Sequence, residues 1–166
     1  MANPLKNKNL NMFLCVALFS STLSANNYST SSDWLIETNT TQEKFKKIQK
    51  QLRGFDLAMV EVGYRFNSFY FALKDKNYPL ANYQFDKIKK AIDNGTVRRP
   101  KRKHNSQIMF LDTQYKKMKE AIDSNKSKLI WQEFNNTKVS CNACHVAENV
   151  PFIKVINPQY RWQPIK

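Results

Sequence analysis

Cys141, Cys144 and His145 stand within the pentapeptide Cys-Asn-Ala-Cys-His near the end of a chain of 166 residues. Two thiols three positions apart and an imidazole four positions after the first form the attachment signature of covalently bound c-type haem. On a helix these spacings put all three side chains on one face. The thiols can then capture two vinyl groups while the imidazole binds iron from below. Such a group carries the redox chemistry, and the protein sets its axial ligation, burial and access.

Other chemistries fit the motif less well. A zinc site needs about four protein ligands, or three plus water, and beyond the two cysteines the chain offers only His104 and His145. A thioredoxin-like pair needs a strand leading into its helix, whereas the segment before Cys141 reads as helix.

The N-terminus bears on the same question. Lys6 and Lys8 precede the apolar run Met12 to Leu18, and Leu23-Ser24-Ala25 offers a cleavage site, the order of a secretory signal over residues 1–25. The run is short for a permanent membrane span; its alternative is an uncleaved anchor. Cys15 lacks a good lipoprotein box and leaves with the signal, so Cys141 and Cys144 remain with no spare thiol for a disulfide. Haem is attached outside the cytoplasm in bacteria, so signal and motif agree on a periplasmic or otherwise exported protein. Export removes Lys6 and Lys8, taking the formal charge from +14 to about +12.

The elements that must position the motif are helical. About 140 residues remain after the signal, enough for one domain. With three glycines and few β-branched runs the composition favours helix. Residues 26–41, Ser-rich over Asn26 to Asp33, read as a flexible leader. Residues 42–150 read as the domain, and 151–166 as a tail packing near the haem. Apolar residues from Phe45 and Ile48 through Leu52, Phe55, Met59 and on to Leu73 keep a three-four spacing, so one long helix or two stacked pieces is expected, with a bend at Gly54. Pro79 opens a second helix that stops at Asn94-Gly95, with Leu80, Tyr83, Ile88 and Ile92 inward. A third starts near Asn105-Ser106 and turns Ile108, Leu111, Tyr115, Met118 and Ile122 inward, ending at Asp123 to Asn125. The fourth runs from Ser127 through Ile130 and Phe134 into the motif. Four amphipathic helices with short first and third connections predict an all-α, antiparallel four-helix bundle with covalent haem near the end of the last helix. The roomier connection, Asn94 to Asn105, then lies at the haem end.

In this arrangement the chain resembles the cytochrome c-prime group of class II c-type cytochromes, whose four-helix bundles carry Cys-x-x-Cys-His late in the last helix. Only Cys141, Cys144 and His145 match by a sharp motif; the rest, roughly residues 42–147, matches in architecture. The long first helix and the Pro151 to Lys166 tail depart from the compact pattern. Small class I cytochromes keep the motif near the N-terminus and a Met ligand downstream, and here no Met follows Met118. The resemblance implies His145 as proximal ligand, a homodimer through the first two helices, and, by analogy with Met-ligated relatives, Met59 near the start of the first helix as sixth ligand. Counting residues back from the first interhelix turn at 1.5 Å each lands near the same residue, although Met59 also suits simple core packing. His104 and Met109 rank after it, and an open site lined by apolar groups is the alternative.

The sixth position decides the chemistry, since a second ligand favours electron transfer and an open one admits small gases. One-electron transfer by an exported monohaem c-type cytochrome, not an enzyme, is the expectation; binding of nitric oxide or carbon monoxide is the alternative. A peroxidase would want a distal acid-base group beside open iron, and only His104 is on offer. The basic cluster Val97 to His104 resembles a nucleic-acid patch, which export argues against. Arg98 and Arg99 are expected to neutralise haem propionates and to present a cationic face to redox partners with acidic docking surfaces. The bland alternative is a solvated loop. Phe152, Ile153, Tyr160 and Trp162 either fold over the macrocycle or dock on a partner.

Overall fold

The computed structural model describes residues 34, 35 and 37–166. The secretory signal expected over residues 1–25, with Cys15, and residues 26–33 and 36 of the expected leader fall outside the described residues. Within them there is helix and no strand, and residues 38–166 form one compact unit.

The first helical stretch is two pieces. Helix α1 spans Thr41–Gln51, capped by Thr40, whose Oγ1 accepts from the Glu43 amide at 3.2 Å, and α2 spans Phe55–Lys74. Between them Arg53 takes a left-handed φ of 55° and Gly54 is the extended residue that opens α2. This break falls where the sequence places a bend, but it also redirects α1. Phe45 and Leu52, read as inward-facing, are 66% and 52% exposed, and no residue of α1 is buried.

Helix α3, Tyr78–Arg98, begins with Asn77 accepting from the Leu80 amide at 3.0 Å and with Pro79 in its first turn. It does not stop at Asn94-Gly95. Gly95 is buried, and a Cβ there would lie 2.8 Å from Cβ of Ala58 and 2.9 Å from the Phe55 ring. The glycine therefore serves close approach of two helices rather than chain termination. Tyr83, read as inward, is half exposed beneath the Lys87 ammonium, 4.9 Å from its ring centroid.

The segment expected to be a roomy loop is largely helical as well. A 3-10 turn at Pro100–Arg102 leads into the short α4, Lys103–Ser106, and a π turn at Gln107–Leu111 precedes α5, Gln114–Asp123. The wide turn, closed by the Asp112 amide on the Gln107 carbonyl at 3.0 Å, inserts a residue into the helical count. Ile108 is accordingly turned out and Phe110 turned in, against the simple three-four reading. Helix α6, Ser127–Ala147, follows Asn125, whose left-handed φ of 56° makes the turn.

The core is aromatic. Phe69 lies 4.8 Å from Phe85 and 6.0 Å from Phe134, Phe66 stacks on Phe134 at 5.4 Å, and Tyr70 meets Trp131 edge-on. These rings join α2 and α3 to α6, with Met118, Ile122 and Ile130 completing the buried cluster. At one end of the bundle the end of α3 meets the start of α2, and Arg98 Nη1 donates to the Leu52 carbonyl at 2.9 Å. Arg102 and Asn105 reach Glu148, just past α6, at that same end.

Candidate functional site

The inner stripe of α6 carries the motif. Ile130, Phe134 and Thr137 are buried, and continuing their line by four and seven positions from Thr137 reaches Cys141 and Cys144. Both thiols are free and half-buried, with half-buried His145 beside them. The helix is closed off directly after the motif: the Glu148 amide donates to the Cys144 carbonyl and the Val150 amide to the His145 carbonyl, each at 2.9 Å. Asn149 takes a left-handed φ of 62° between them, a C-terminal cap followed by Pro151.

That cap reverses the chain, and the tail runs back beside α6. His145 Nδ1 lies 2.8 Å from the Ile153 carbonyl. Donation to a carbonyl places the ring proton on Nδ1 and the free lone pair on Nε2, the arrangement that suits a metal-ligating imidazole. Asn142, between the two cysteines, fixes the same stretch with both amide atoms. Its Oδ1 accepts from the Val155 amide at 2.7 Å, and its Nδ2 donates to the Val155 carbonyl at 3.1 Å. Lys138 reaches Asn157 at 2.6 Å. Farther on, Asn67 of α2 repeats the two-handed contact, donating to the Tyr160 carbonyl at 2.8 Å and accepting from the Trp162 amide at 3.1 Å. Arg161 then pairs with Asp75 at 2.6 Å and lies over Phe71.

The tail thus begins at the motif and finishes near the far end of α2, as a backbone strap. Phe152, Tyr160 and Trp162 are mostly exposed along it.

Charge at the site is supplied by Glu148 and Arg102, with Asn105 as a neutral hydrogen-bonding partner. The Glu148 side chain, 13% exposed, pairs with the Arg102 guanidinium and accepts from Asn105 Nδ2 at 2.8 Å. Burial pushes the Cys141 thiol up to about 12, helped by the neighbouring Cys144. Cys144 is also raised, by burial first and by the Glu148 carboxylate second, with Arg102 opposing. Both are neutral thiols at neutral pH.

The residues singled out from sequence are distributed as follows. Cys141, Cys144 and His145 stand together. Arg98 and Arg99 are engaged with the α1 to α2 turn: Arg98 holds the Leu52 carbonyl, and the Arg99 guanidinium lies beside Gly54. The member of the basic cluster that pairs beside the motif is Arg102. Met59 is half-buried on α2 and packs against the core. His104 is exposed on α4. Met109 sits in the π turn, and its carbonyl accepts from Ser140 Oγ, immediately before Cys141.

Sequence reasoning missed Asn142, Asn67 and the Ile153 carbonyl. The signal available was Asn149-Val150-Pro151, whose cap-and-proline order announces a chain reversal.

Among the described residues no three His, Cys, Asp or Glu side chains converge as a metal-ion cluster, and no helix is long and apolar enough to cross a membrane. Compared with known proteins, the chain matches no family model, no curated protein and no solved structure.

Proposed function

We propose that this chain is an exported monohaem c-type cytochrome, an antiparallel four-helix bundle of the c-prime kind that carries single electrons. The observation supporting it is the His145 hydrogen bond: with Nδ1 turned to the Ile153 carbonyl, Nε2 is the nitrogen left for iron, on the face that holds two free thiols. This donor set fits haem c. On attachment each thiol would add across one vinyl group, sulfur to one carbon and the proton to the other, a balance that needs no oxidant.

When bound, haem supplies a reversible one-electron couple. The chain's own groups do the rest. The Ile153 carbonyl draws on the Nδ1 proton and makes the imidazole a stronger donor, which would favour the oxidised state of a bound iron. Asn142 holds that carbonyl in place through Val155. Arg102, paired with Glu148 beside the motif, would be the guanidinium available to a haem carboxylate, with Arg98 and Arg99 on the cationic surface that would face acidic redox partners. Met59 is the proposed sixth ligand.

The test is the optical spectrum of protein matured with haem, oxidised and reduced, before and after carbon monoxide. Haem that resists extraction, a low-spin spectrum with a sulfur-to-iron band and no response to the gas are expected; Met59→Ala then turns the spectrum high-spin. A high-spin wild-type spectrum that shifts with carbon monoxide would replace electron transfer by gas binding. Protein that acquires no covalent haem would overturn the proposal.

A further inference from the structure

Helix α1 buries none of its side chains, yet it is built with two distinct faces. Phe45, Ile48 and Leu52 follow a three-four spacing and align in one stripe. Phe45 and Leu52 are mostly exposed, Ile48 is half-buried, and no side chain of the helix is buried. Lys44 and Lys46 flank the stripe, Lys47 and Lys50 follow round the helix, and Glu43 is the one acid between Thr41 and Gln51. Its end is anchored to a second basic element: Arg98 holds the Leu52 carbonyl, and the Arg99 guanidinium lies beside Gly54, with Lys101 and Lys103 exposed a few residues on.

A narrow apolar stripe between lysines is the pattern of a helix that lies in the interface of a bilayer, its apolar side chains among the acyl chains and its ammonium groups rising to the headgroups. We infer that α1, with the Arg98 to Lys103 segment beside it, is a docking surface for anionic phospholipid. Charge complementarity selects this occupant. A second copy would set lysines against lysines, whereas an anionic leaflet attracts each of them. The stripe is short, so binding is peripheral and reversible. This inference rests on α1 and the basic segment beside it and stands whether or not the motif carries haem.

An eleven-residue helix with no buried side chain is marginal in water, so its amides exchange fast until something covers it. The experiment is hydrogen exchange of the full chain, read on residues 41–53, with vesicles of phosphatidylglycerol and phosphatidylcholine and with phosphatidylcholine alone. Reading that segment separates it from the apolar run near the N-terminus, which can engage lipid by itself. Exchange in 41–53 is expected to slow at least tenfold with the anionic vesicles and to stay fast with the neutral ones. The paired surface variant Phe45→Ser, Leu52→Ser is expected to lose that protection while the amides of α2 and α6 keep theirs. Three results would overturn the inference: no slowing on anionic vesicles, equal slowing in the variant, or protection without vesicles that grows with protein concentration.

Discussion

At the scale of single residues the site is governed by a proton count on sulfur. A thiolate is the reactive form of cysteine, and burial keeps Cys141 protonated up to about 12. In haem-free protein, iodoacetamide should therefore label Cys141 slowly at pH 8, the rate climbing by about tenfold per pH unit, while the denatured chain levels off above its ordinary value. The linkage has a definite sign. The neutral thiol is favoured in the folded state, so stability from this group is constant below about 9.0 and declines as pH rises from there toward 12. Mass spectrometry of native and denatured samples checks it; equal labelling in both would mean the sulfur is not enclosed. Asn142 shows why such a site is only partly legible in sequence. The two cysteines and the histidine are recognisable from spacing alone, whereas an asparagine that grips a peptide unit thirteen positions away looks like any polar residue on a helix.

Among the elements, two glycines of the same helical hairpin have opposite meanings. Gly95 lies where α3 meets Ala58 and Phe55, and Gly63 on α2 has open space around the position of a Cβ. Gly95→Ala is expected to cost about 1–3 kcal/mol through overpacking, and Gly63→Ala to add about 1 kcal/mol by helix propensity. Urea midpoints of the two variants decide both signs. From sequence, Asn94-Gly95 looks like a helix stop because glycine after asparagine commonly caps; only the facing helix tells a cap from a contact. The bend at Gly54 is readable because a glycine interrupts a sustained apolar stripe. The π turn is not, since the inserted residue leaves no mark in composition and exchanges Ile108 for Phe110 on the inner face. Sequence thus identifies the four principal amphipathic helices well, and misjudges where α1 points because rotation about Arg53 is a local backbone event.

For the whole molecule the strap matters most. Asn67 is 2% exposed and satisfies peptide groups on either side of Arg161. Asn67→Ala leaves those groups unpaired, at about 1–3 kcal/mol, and should release the tail. The expected result is a lower denaturation midpoint together with rapid amide exchange across residues 157–166, with α6 still protected. Unchanged exchange in that stretch would show the strap to be held by Arg161 and Gln163 instead.

The strap also imposes an order in time. Asn67 and the Tyr160 carbonyl are 93 residues apart, a closure that gains nothing until the helices between them have come together. During synthesis the motif is complete at residue 145, before the peptide bearing the Ile153 carbonyl exists. The imidazole is free to turn for as long as that peptide is unmade, and its orientation is settled by residues that follow the motif.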